Sequence, residues 1–212
     1  MAAWSGEAPI EGPVALRAPA QGGGIQYEDE LPSDRGMHGE LLHRGRRPAP
    51  QGKRGKPQYG KTNLNRQRRA MRKLLCHIGG GPADRNELGV LWLLDNTVAN
   101  CEEGWPENEI TVHPPVCLPC AAKAVDECPE LEKNGVTAVR VRDPRSYGVH
   151  GSLYALDDTA PWSPFPIELE STLTVAYDDP RLKWMQVGQS ALYLVGCTVV
   201  DLQAELQAAG LR

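Results

Sequence analysis

Cysteine is the residue type in which chemistry concentrates in this chain. Five of the six cysteines lie between Cys76 and Cys128, together with His77 and His113. Cys117-Leu118-Pro119-Cys120 sets two soft ligands three positions apart at the head of a helical stretch. Cys76 runs into His77-Ile78-Gly79-Gly80-Gly81, a tight glycine turn. A structural zinc takes four N or S ligands in a tetrahedron, one pair from such a turn and one pair from a second element. Cys76, Cys117 and Cys120 are therefore candidate zinc ligands. Where a second cysteine would complete the first turn the chain has Gly79. Candidates for the fourth ligand are His77, Cys101, His113 and Cys128. His77 adjoins Cys76, which is a strained geometry, and it is the one taken into the expected ligand set. Cys128 is about two helical turns beyond Cys120, far for the same ion. The alternative is a site that has lost its metal, with the cysteines buried as small apolar side chains.

The elements that would position these residues can be read around them. Thr62 or Asn63 caps a helix that continues through Leu75. Leu64, Ala70, Met71, Leu74 and Leu75 fall on one side of it, and Arg66, Arg68, Arg69, Arg72 and Lys73 cover much of the rest. Gly89 precedes the apolar run Val90-Leu91-Trp92-Leu93-Leu94, short enough for a buried strand. Ile110 to Val112 reads as its partner strand, broken by Pro114 and Pro115. A helix follows Cys120 and stops at Pro129. Further on, strands are expected at Val136 to Val141, Gly148 to Leu156 and Leu173 to Tyr177. Asp179-Pro180 opens a helix carrying Leu182, Met185, Leu192 and Val195. A strand at Cys197 to Val200 and an Asp201-capped helix close the chain. The class is α+β, a small mixed domain.

The order of turn, strand pair, and helix with two cysteines in its first turn is similar to a treble-clef finger. In that family the turn and the helix N-terminus share one structural zinc. The stretches QRRAMRKLLC, GGPADR, GVLWLL and PPVCLPC also resemble a family of uncharacterised actinobacterial proteins, over roughly residues 24 to 200. There the first turn usually carries the full Cys-x-x-Cys, from which Gly79 departs. The resemblance implies a metal-finger ancestry and an intracellular, cytoplasmic location. It implies no activity.

Charge divides the chain. Residues 1–43 hold two basic and seven acidic side chains, 44–73 twelve basic and no acidic, and 74–212 nine basic and twenty acidic. The basic segment is either an arm for a polyanion such as DNA or RNA, or a strap over the protein's own acidic surface, or a site for a protein partner. Residues 1–24 end in three glycines and read as a flexible tail, 25–61 as an extended strap and basic linker, and 62–212 as the α+β domain, with a treble-clef-like core at 74–131. The first residues lack the charged start and apolar stretch of a secretory signal, and no apolar run is long enough to span a membrane.

Three enzymatic readings compete with a binding module. Residues 55–62, GKPQYGKT, match the phosphate-binding loop pattern, but the preceding RGRRPAPQGKR is no buried strand. An HNH-like nuclease would need His113 as its base, and the helix after Cys120 offers Lys123, Asp126 and Glu127 but no His or Asn. His150 and Ser152 share one strand face. The reading that carries most of the sequence is a zinc-stabilised binding or regulatory module with a basic helix.

Overall fold

The computed structural model describes residues 1–96 and 103–211. The first strands are β1 (Ala2–Trp4), β2 (Ala8–Pro9), β3 (Val14–Leu16), β4 (Ile25–Tyr27), β5 (Leu41–Leu42), β6 (Arg46–Arg47) and β7 (Pro57–Thr62). Then come α1 (Leu64–Lys73), β8 (Arg85–Asn86), β9 (Gly89–Asp95), β10 (Ile110–Thr111), α2 (Leu118–Glu127) and α3 (Pro129–Asn134). The long strands β11 (Val136–Ala155), β12 (Ile167–Ala176) and β13 (Met185–Val200) precede the closing helix α4 (Leu202–Ala208). The class is mixed α and β. No helix among the described residues is long and apolar enough to cross a membrane.

The chain divides differently from the expected tail, strap and domain. It forms two compact units, each discontinuous in sequence. The first holds Met1, Arg66–Ser146 and Ala191–Arg212, and the second Ala2–Asn65 and Tyr147–Ser190. Strands β11 and β13 each contribute one part to each unit.

In the second unit, residues 1–24 form strands rather than a tail. β3 pairs antiparallel with β4, Val14 opposite Tyr27 and Leu16 opposite Ile25. Gly22, Gly23 and Gly24 all have positive φ, so the glycine run makes the reversal between these strands. β1 pairs with β7 and buries Ala3 completely. β2 pairs with β6. Strands of two or three residues are too short to show an alternating pattern, so composition alone suggested mobility. Ile25, Tyr27 and Leu41 form one apolar cluster here, and Val149, Val175, Leu182, Met185 and Val187 another.

The first unit is built on β9. Its continuous apolar run is buried on both faces, as such a run requires. Val90, Trp92 and Leu94 pack with Met71, Val139, Val141, Leu192 and Leu194. Leu91 and Leu93 pack on the other side with Cys76, Val116, Ala121, Ala138, Leu202 and Leu206. β9 pairs with β8 in a tight hairpin and with the first part of β11, Leu91 opposite Arg140. The expected partner, β10, pairs instead with β13.

Two more expectations change. The expected strands at 136–141 and 148–156 merge into the single strand β11, which ends at Ala155. The helix expected after Asp179 is one 3-10 turn, Pro180–Trp184, whose cap is as read, with Asp179 accepting from the Arg181 N–H at 2.8 Å. From Met185 the chain is strand, because Val187, Leu192 and Leu194 are buried in a ladder that overrides the local helical spacing. The Asp201 cap of α4 is present, accepting from the N–H groups of Gln203 and Ala204.

Candidate metal centre

Helix α1 delivers the chain to Cys76 through a left-handed turn. Leu74 has φ of 49°, and the Leu75 N–H donates to the Ala70 carbonyl at 2.9 Å, the Schellman pattern. Leu75 and Pro82 then form an isolated bridge that closes the base of the glycine turn. Inside it, Cys76 N–H donates to Gly81 at 2.7 Å and Gly80 N–H to Cys76 at 2.9 Å. The His77 N–H donates to the Pro115 carbonyl at 2.7 Å, joining the turn to the segment that leads into α2. Val116 donates to Leu91 and accepts from Asp84, both at 2.9 Å. Both cysteine-bearing segments are thereby tied to the region around β9.

The result is that Cys76, Cys117 and Cys120 bring their sulfurs within 4.8 Å of one another, a group able to hold a metal ion. Tetrahedral zinc, with bonds of about 2.3 Å, sets its sulfurs roughly 3.8 Å apart, so the group needs to contract by about 1 Å or less. The Gly79 N–H already points at the Cys76 sulfur, 3.3 Å away. Burial alone would push the Cys76 thiol up, but N–H groups of Gly79, Cys117 and Ile78 and the Cys117 thiol outweigh it and leave Cys76 below the usual thiol range. Burial, the Cys117 thiol and the negative charge of Cys76 push Cys120 up to about 12. The thiols of Cys76 and Cys120 are thus pushed in opposite directions. A divalent ion removes that conflict, and three thiolates are the donor set a thiophilic ion takes. No disulfide occurs among the described cysteines.

The other candidate ligands stand apart. His77 is not one of the three-residue group. Its ring meets that of His113 edge-on, with centroids 6.0 Å apart. Its Nδ1 is buried without a hydrogen-bond partner among the described residues, and burial pushes the imidazole down to about 3. His113 contributes its backbone carbonyl to the Trp92 indole N–H at 2.9 Å. Cys128 joins α2 to α3, outside the group. Cys101 lies outside the described residues.

The cations expected to act together divide into two sets. Arg69, Arg72 and Lys73 of α1 are exposed and make no ion pair among the described residues. Arg66 and Arg68 are half-buried and have interactions of their own. Three of the six cations of 44–60, Arg44, Arg46 and Arg54, have partners in the second unit. Arg44 pairs with Asp34 at 2.8 Å and Asp29 at 3.0 Å and lies 4.1 Å over the Tyr27 ring. Arg46 donates to the Glu7 carbonyl, and Arg54 stacks on Trp4.

The residues of the enzymatic alternatives are placed as follows. Residues 57–62 of the phosphate-loop pattern are strand β7 in a ladder with β1, so its N–H groups do not converge on an anion. Lys123 and Glu127 of the expected nuclease helix pair with each other at the surface. His150 Nδ1 lies 2.9 Å from Thr174 Oγ1 across the ladder, not on Ser152.

One polar cluster was missed. Arg140 is 1% exposed and pairs with Asp84 at 2.7 Å and Glu205 at 2.5 Å. An arginine inside the β-branched run VTAVRV was its signal, since a charge in a buried strand needs partners. Those partners are 56 and 65 residues away in sequence, and no spacing rule connects them. Compared with protein-family models, with curated proteins and with solved structures, the chain matches none.

Proposed function

We propose that the protein is a metal-stabilised binding module whose zinc ion, held by Cys76, Cys117 and Cys120 in a treble-clef-like arrangement, fixes a basic helix for contact with a nucleic-acid backbone. The observation that carries this reading is the convergence of three sulfurs from a glycine turn and a helix start. Turn, the β8–β9 hairpin and α2 follow one another in the order of a treble clef. Two residues separate the end of helix α1 from Cys76, so an ion there anchors that helix directly. Arg69, Arg72 and Lys73 then form an exposed cationic face with no ion pair among the described residues. Phosphate contact of this kind is independent of sequence and weakened by salt.

The test has two parts. Mass spectrometry of protein purified without chelator is expected to find one zinc per chain, lost in Cys117→Ser. Fluorescence anisotropy with labelled DNA and RNA at low salt is expected to show binding that Arg69→Glu, Arg72→Glu and Lys73→Glu together abolish. Removing the three charges one by one is expected to lower the slope of log K against log salt by about 1 each. Metal-free protein, or no binding to either polymer at low salt, would overturn the corresponding half of the proposal.

A further inference from the structure

Gly79 occupies the position from which a fourth ligand would come. A Cβ placed on it would point into the thiol group, 3.3 Å from the Cys120 sulfur and 3.8 Å from that of Cys76. The backbone does not explain the glycine. Gly80, next to it, has φ of +73° and needs to be glycine, whereas Gly79 lies outside the left-handed region and can carry a side chain. Among the described residues no other Cys, His, Asp or Glu joins the three sulfurs. The vertex faces outward. Gly79, Gly80 and Gly81 are exposed, and a Cβ on Gly80 or Gly81 would meet nothing within 4 Å.

We infer that the centre is an open coordination site: an ion bound by Cys76, Cys117 and Cys120 takes its fourth ligand from solution over Gly79. This rests on the metal reading given above. Three protein ligands plus one exchangeable position is the pattern of zinc sites that meet a substrate, in contrast to closed structural sites. With three thiolates the complex carries one negative charge. Water leaves that charge unchanged, and a small soft donor, an imidazole or a low-molecular-mass thiolate, is the class of ligand that displaces it. The exchange breaks one metal–oxygen bond and forms one metal–nitrogen or metal–sulfur bond, with no change in oxidation state. A thiol gives up its proton to buffer as it binds.

Cobalt(II) reports the site directly, because its visible bands respond to each ligand exchange. The full-length chain, freed of metal and reloaded with cobalt, is expected to shift its spectrum saturably on titration with imidazole and with 2-mercaptoethanol. Gly79→Cys supplies the missing sulfur, with the Cys120 side chain giving way by a few tenths of an ångström, and its spectrum is expected to ignore both additives. Gly79→Ala covers the vertex without a donor and is expected to keep the cobalt bands and lose the response. Cys101→Ser is expected to respond as the unaltered chain does. A cobalt spectrum of the unaltered chain that is insensitive to both additives would overturn the inference. So would a response seen only after Cys101→Ser, since Cys101 would then be the fourth ligand. Failure to bind cobalt at all would instead overturn the metal reading, and this inference with it.

Discussion

Two polar clusters lie against the same apolar layer of the first unit, and they handle charge in opposite ways. Arg140 follows Ala138 on one face of β11, and Ala138 packs in the layer that also contains Cys76 and Ala121. Around Arg140 the chain supplies its own counter-ions, Asp84 and Glu205, with the Gly89 carbonyl accepting a further bond from the Arg140 Nη1. Around the three sulfurs it supplies N–H donors, and the N-terminal ammonium of Met1 interacts electrostatically with Cys76. The first cluster is complete within the polypeptide. The second is a group of three sulfurs able to hold a metal ion. A buried polar group serves the fold when its partners are on the chain, and serves as a site when they are not.

Breaking the complete cluster has the largest expected effect. Arg140→Ala leaves two carboxylates facing an apolar layer and is expected to cost about 3–5 kcal/mol, read from the denaturant midpoint. The triple change Arg140→Met, Asp84→Leu and Glu205→Leu is expected to recover most of that loss, because it removes the charges together. If the triple variant is as unstable as the single one, packing rather than charge balance holds Arg140 in place.

Removing the outside partner of the thiol cluster comes next. Chelation is expected to lower stability by about 3 kcal/mol, corresponding to ion at roughly a hundred times its dissociation constant. Calorimetry with and without chelator checks this, and the Cys117→Ser chain is expected to show no difference between the two conditions.

A smaller effect sharpens the comparison from the second unit, where Arg44 repeats the two-carboxylate arrangement nearer the surface. Burial alone would raise the Asp34 carboxyl, but the Arg44 guanidinium and the Leu31 N–H outweigh it and hold it below the usual carboxylate range. A folded-state pKa below the unfolded one adds stability that is fully present above the ordinary carboxylate range and disappears as the pH falls through the depressed value. Asp34→Asn is therefore expected to cost about 2 kcal/mol at neutral pH, a cost that disappears as the pH falls through the depressed carboxyl value. A penalty that persists unchanged in acid would assign it to shape instead of charge.

How legible this protein was depends on range. The run from Val90 to Leu94 declared a strand buried on both sides, since no amphipathic alternative accommodates five apolar residues in a row. The basic helix before Cys76 and the Asp201 cap were equally local. Residues 1–24 were misjudged because strands this short take their stability from partners far along the chain, as Ala2 does from Thr62. The 16 residues of β13 were misread in part because local spacing favoured a helix and burial against neighbouring strands decided otherwise.

The amino-acid order alone determined the donor types, the glycine turn, the break after Cys120 at Pro129, and the excess of cations before Cys76. Those follow from side-chain chemistry and from interactions within a few residues. Only the tertiary structure decided that three thiols meet while His77 turns to His113, that Arg44, Arg46 and Arg54 are taken up by Asp34, Glu7 and Trp4, and that Gly79 faces the sulfurs. Each of these is a meeting of distant segments, and which segments meet is set by burial and hydrogen bonding summed over a whole unit, which no local stretch encodes.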